Sequence, residues 1–195
     1  MPSRAPAADI RTFLRRLPLA LAGAVVLWAL ARPIYAHALC AATQFLARVA
    51  EVPPASAVVL QGDDALLGRT DMRADSGWLK VPLVQIHFNL VPFLALALAL
   101  PRPLAGGGWR RLLLALAVLA ASHVLALLFQ LKFLEAFSMG PWSQANYSDL
   151  ARNVYGTLRY FFDIPVTFAL PLLLWIGTYP QQVFALVGLG APVRR

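Results

Sequence analysis

Three side chains able to accept or donate a proton lie in or beside apolar stretches of this chain: His87, His123 and Asp163. General acid–base chemistry would need them within hydrogen-bond reach of one substrate. His87 belongs to Gln85-Ile86-His87-Phe88-Asn89, where the longest polar segment runs into an apolar one. His123 follows Ser122 deep inside LLLALAVLAASHVLALLF, where a polar group in lipid faces other helices and finds a partner. Asp163 stands four residues after Arg159, the helical spacing of an ion pair. Each has a plainer role as well: an interfacial rim for Gln85 to Asn89, a helix–helix hydrogen bond for His123, and an ion pair for Asp163. A binding surface would use Trp78, Gln85, His87, Asn89, Lys132 and Arg159. No metal site is expected: there is one cysteine, Cys40, and Asp63, Asp64, Asp71 and Asp75 lack the alternation of a calcium loop. No cofactor motif is present either.

The elements that must hold these groups are set by composition. The 195 residues are 59% hydrophobic and 13% charged, with a mean hydropathy of +0.65. Apolar residues come in long blocks, so the chain reads as an all-α integral membrane protein. About four transmembrane helices are expected, at Leu17 to Leu39, Leu83 to Leu100, Leu112 to Phe129 and Phe161 to Ile176, because a hydrocarbon core needs roughly 20 apolar residues as helix. The last could run on to Leu189, interrupted by Pro165, Pro171 and Pro180. The chain then divides into a tail (1–16), a first span with its extension (17–50), an external loop (51–82), a three-helix membrane region (83–180) containing an external segment (130–160), and a C-terminal tail (181–195).

The net charge of +8 would suggest nucleic acid in a soluble protein, but the arginines flank apolar blocks, which points to membrane lipid as the partner. The N-terminus, the turn Pro101–Arg111 and the C-terminus hold nine arginines against one acid, Asp9. By the positive-inside rule both termini are expected in the cytoplasm, with the loops Glu51–Lys80 and Gln130–Tyr160 outside. Ala36-His37-Ala38 also has the small-residue pattern of a signal-peptide cleavage site, although helix-like sequence continues to Ala50.

Two local patterns bear on the candidate residues. Pro53-Pro54 ends the first helix, and AVVLQGDDALLGRTDM reads as a small β-hairpin with a Gly-Asp turn. KVPLVQIHFNLVP alternates as a strand would, yet a strand to Asn89 leaves too short a helix to cross. A helix starting near Pro82 and kinked at Pro92 is therefore expected, with Gln85 and Asn89 on one face and His87 roughly opposite. Trp142, Tyr147, Tyr155 and Tyr160 suit an interfacial aromatic belt.

From about Pro53 to Trp175 the order of features resembles the exosortase/archaeosortase family: a loop of short β-like runs, a motif opening the next membrane helix, a basic residue beyond the following helix and a polar residue opening the last. In that family the motif is Cys-Ser-Gly-like and the later positions supply Arg and His. Here His87 to Asn89 stand at the cysteine position, Lys132 at the basic one, and Asp163 or Tyr160 at the histidine. The chain is most similar to exosortase H-associated membrane proteins that lack the catalytic cysteine motif. The resemblance implies a non-catalytic accessory of a protein-sorting system in a bacterial inner membrane, binding the sorting enzyme or its substrate at the outer face. The alternatives are a membrane-embedded hydrolase or transferase using His87, His123 and Asp163, and a small transporter, for which neither an internal repeat nor a continuous polar stripe is found.

Overall fold

The structure, a computed structural model, describes residues 10–51, 55–70 and 78–188. Three helical stretches are long and apolar enough to cross a membrane: Ile10–Val49, Gly108–Ser138 and Asp149–Thr178. The first is helix α1, 40 residues without a break through Ala36–Ala38, so the extension expected after Leu39 is the same helix. At 1.5 Å per residue it is about 60 Å long, twice a hydrocarbon core of about 30 Å. Only 6% of its most apolar stretch is buried within the protein, and Leu19, Leu30 and Ile34 are among its most exposed side chains. Such a surface is stable against lipid rather than water.

The segment 51–82 differs from the expected hairpin. Strands β1 (Ser56–Gln61) and β2 (Asp64–Arg69) are antiparallel, and β3 (Leu79–Pro82) adds a third strand in the order β1-β2-β3. The third strand arises because Ala65 and Leu67 of β2 are fully buried and β3 completes their cover with Val81. Trp78 lies so close over Gly68 that a β-carbon there would come within 2.8 Å of its ring, which is why β2 carries a glycine. Asp71 and Asp75 lie outside the described residues.

The Leu83–Leu100 segment forms α2 (Leu83–His87) and α3 (Leu90–Ala99), separated by a turn at Phe88-Asn89 instead of kinked at Pro92. Pro92 occupies the first turn of α3, where its missing N–H costs no helical hydrogen bond. Leu83–Ala99 is an apolar stretch shorter than the other three. The segment 130–160 is helical for most of its length. Helix α4 runs from Gly108 to Ser138, α5 spans Pro141–Asn146 and α6 spans Asp149–Phe161. Gly140, at φ 58°, makes the turn into α5 that a side chain would oppose. Ser148 caps α6 by accepting from the Ala151 N–H.

Helix α6 leads into a π-helical stretch, Phe162–Val166, and then α7 (Thr167–Thr178). Pro165 has no N–H to donate, and the wider turn absorbs that loss, with Thr167 Oγ1 donating to the Phe162 carbonyl at 2.8 Å. The polarity of α6 is inverted: the Arg152 and Arg159 guanidiniums lie over Phe137 and Phe133, at 4.8 and 4.2 Å, while Leu150, Val154 and Phe161 are exposed. The short α8 (Pro180–Leu186) follows a break at Tyr179, which precedes a proline and leaves the helical region.

Contacts divide the chain into two compact units. One contains residues 1–30, 89–118 and 169–195, with a core of Phe13, Ala97, Leu100, Tyr179, Val183 and Leu186. Among the described residues it holds six arginines and no acid. The other contains residues 31–88 and 119–168, including the sheet, and its core joins Leu39, Cys40, Val58, Leu67, Leu83, Leu127 and Leu131. All the described acidic residues belong to it.

Leu173, 62% exposed on α7, tests the lipid-facing surface. Leu173→Asp is expected to oppose insertion by up to about 3 kcal/mol and to lower the fraction of protein that resists alkaline extraction from membranes. A water-facing position would show no loss.

Candidate functional site

All three candidate acid–base groups lie in the sheet-containing unit, but they are not brought together. His87 and His123 both pack edge-on against Tyr35, with ring centroids 5.6 and 5.9 Å from its own. The Tyr35 hydroxyl and His123 Nδ1 are hydrogen-bonded at 2.6 Å, and both histidines are buried. Tyr35 comes from α1, and its aromatic ring in an apolar helix gave no sign of this role. Ser122 donates instead to the Leu119 carbonyl of its own helix. Asp163 stands apart, paired with Arg159 at 3.3 Å.

Asp163 and Arg159 line a cavity of about 160 Å³ together with Gln85, Gln130, Pro82 and Thr167. The π-helical stretch carries Asp163 into this wall, and α2 supplies Gln85. The Gln130 side-chain oxygen is buried without a hydrogen-bond partner among the described residues. The cavity therefore offers an amide, an ion pair and an unused acceptor, a set suited to holding a polar group of a ligand. Of the binding residues expected from sequence, Gln85 and Arg159 meet here. Asn89 is buried in the other unit, and Trp78 lies over Gly68.

Lys132 is engaged internally. Its ammonium donates to Glu51 and, at 2.8 Å, to Glu135, whose carboxylate is completely buried. Glu135 also accepts from Ser56 and Tyr147, each at 2.7 Å, with the Arg69 guanidinium 3.5 Å away. Arg69 lies over the Trp142 ring, 4.5 Å from its centroid. Burial, and next Glu135, push the Tyr147 hydroxyl pKa above the usual tyrosine range. The Glu135 backbone carbonyl accepts from Ser143 at 2.6 Å, which fixes the start of α5.

The end of α1 completes this cluster. Glu51 accepts from the backbone N–H groups of Ala55 and Ser56 at 3.1 and 2.8 Å, and it shares the single Ser56 hydroxyl proton with Glu135. Gln44 accepts from the Val58 N–H at 3.2 Å, and Arg48 donates to the Ser56 carbonyl at 3.1 Å. Residues 44, 48 and 51 follow a helical stripe, so α1 satisfies the outer edge of β1 that would otherwise invite another strand. Arg32 pairs with Asp63 and ties the β1–β2 turn to the same helix. No local pattern marks Glu51 or Arg69 within the 51–82 segment, and the isolated charges of segment 130–160 hide Glu135. The Lys132/Glu135 spacing within an apolar helix was the available signal.

Among the described residues no His, Cys, Asp or Glu side chains are grouped as a metal would require. No family model matches the chain, and neither a curated protein nor a solved structure matches it.

Two outcomes follow for the cluster. Lys132→Met leaves two buried carboxylates facing Arg69 and is expected to destabilise the protein by about 3 to 5 kcal/mol in detergent unfolding. Burial raises the Glu51 carboxyl, but hydrogen bonds from Lys132 and Ser56 outweigh it and hold the group at about 2 against an unfolded 4.5. Its contribution is therefore complete above pH 4.5 and is lost as the pH falls towards about 2. Melting temperature against pH should decline through that window and decline less in Glu51→Gln.

Proposed function

We propose that this protein is a non-catalytic accessory of an exosortase-type sorting system, a multi-pass protein of a bacterial inner membrane in which the shorter Leu83–Ala99 stretch makes a fourth crossing and both termini lie in the cytoplasm. In this reading it binds the sorting enzyme, or the enzyme's substrate, at the outer face of the membrane. The observation that carries it is the convergence of Gln85, Arg159 and Asp163 on one polar cavity beside the sheet-bearing unit's π-helical stretch. The resemblance in feature order supplies the class of partner. Charge supports the orientation: six described arginines without an acid occur in one unit, and positive residues are retained on the cytoplasmic side.

The enzyme reading requires His87, His123 and Asp163 to act on one substrate. The two histidines are packed about Tyr35, while Asp163 is engaged by Arg159, so acid–base chemistry has weaker geometric support. Cys40 is buried in α1, whereas His87 to Asn89 stand at the position where the exosortase motif has its cysteine.

The test is co-purification of the sorting enzyme or its substrate from native membranes in mild detergent. Gln85→Ala and Asp163→Asn are expected to reduce recovery at least about tenfold, a loss of 1.4 kcal/mol or more. Asp149→Asn, at the exposed start of α6, should not. Full recovery with both cavity variants, at unchanged melting temperature, would exclude this cavity as the binding surface.

A further inference from the structure

A second polar cavity, of about 150 Å³, lies in the arginine-bearing unit and is walled by Pro103, Arg111, Tyr179, Gln181 and Gln182. Its position along the chain is set by membrane helices: Thr178 ends one apolar stretch and Gly108 begins another. Tyr179 is only 3% exposed, yet its hydroxyl has no hydrogen-bond partner among the described residues. Gln182 donates its amide N–H to the Pro101 carbonyl at 3.3 Å, and its side-chain oxygen is likewise buried without a partner. Arg111 donates one N–H to the Thr178 carbonyl at 3.3 Å, and a guanidinium has five in all. A buried donor and a buried acceptor left over beside a cation form an arrangement that costs stability unless something fills it.

The required occupant has acceptor oxygens with negative charge for Arg111 and Tyr179, and a donor for the Gln182 oxygen. A phosphodiester followed by a hydroxyl or ammonium meets both demands, and arginine is well suited to phosphate. The cavity has room for several waters, hence for a group of this size. The surrounding charge is favourable, since Arg102 and Arg110 lie in the same unit, which carries no acid among its described residues. We propose that this cavity is a phospholipid headgroup site, in which Arg111 and the Tyr179 hydroxyl bind the phosphate and Gln182 accepts from the headgroup's own hydroxyl or ammonium.

The site is tested on the purified full-length chain by native mass spectrometry with short-chain phosphatidylglycerol, phosphatidylcholine and inorganic phosphate. Phosphatidylglycerol is expected to bind at least about tenfold tighter than phosphatidylcholine, whose headgroup has no N–H or O–H for Gln182. Tyr179→Phe keeps the buried ring and removes only a hydroxyl that bonds to nothing in the described protein. It should preserve the melting temperature and weaken phosphatidylglycerol binding about tenfold, and Arg111→Gln should weaken it further. Equal binding by Tyr179→Phe and the parent would overturn the proposal. Displacement of the lipid by inorganic phosphate at the same concentration would also overturn it, showing a site for free phosphate.

Discussion

The completely buried carboxylate of Glu135 is the constraint on which the sheet-bearing unit depends. A charge removed from water must be compensated locally, and here four groups from different segments provide the compensation. Lys132 comes from the same helix, Ser56 and Arg69 from two strands, and Tyr147 from the connection before α6. With Glu51 included, two acids and two bases balance. The arrangement accounts for how so few strands can be held: three short strands have too little core of their own, and α1 and α4 supply both apolar cover and hydrogen bonds. Such a cluster contributes position more than net stability, because the desolvation of its charges offsets much of their attraction.

That fixed arrangement gives the proposed function its physical basis. One end of α1 is committed to the β1 edge, and α6 turns its arginines inward over Phe133 and Phe137 while its apolar side chains face out. Cations packed inside and leucine outside is the reverse of a water-soluble helix, and it leaves the polar chemistry in enclosed places. Two such places are the Gln85/Arg159/Asp163 cavity and the Arg111/Tyr179/Gln182 cavity. Each combines a guanidinium with an amide oxygen that has no partner among the described residues.

The sequence made the apolar helices legible because long uncharged runs have few alternatives. It also marked the Arg159/Asp163 pair, since i, i+4 spacing survives in any helix. What it did not reveal depended on distant pairing. Leu79 to Pro82 joined a sheet because β2 had a second edge to pair, which no local pattern in LKVP announces. Segment 130–160 carries isolated charges that suggested a loop, yet those charges are paired internally: Lys132 with Glu135, and Arg159 with Asp163. Reading Phe88-Asn89 as a break needed knowledge of where Pro92 would fall in the following helix. The role of Tyr35 depended on two histidines far away in sequence.

In the proposed orientation the sheet-bearing segment faces outward and the arginine-rich connection lies in the cytoplasm. Single cysteines placed in a Cys40→Ala background, at Lys80 on the sheet and at Ala105 in the connection, can be labelled in spheroplasts with a membrane-impermeant maleimide. Both positions are exposed apart from the partly covered Lys80–Asp64 contact. Labelling at position 80 before permeabilisation, and at position 105 only after it, is the predicted result. Labelling of both from the same side would contradict the account.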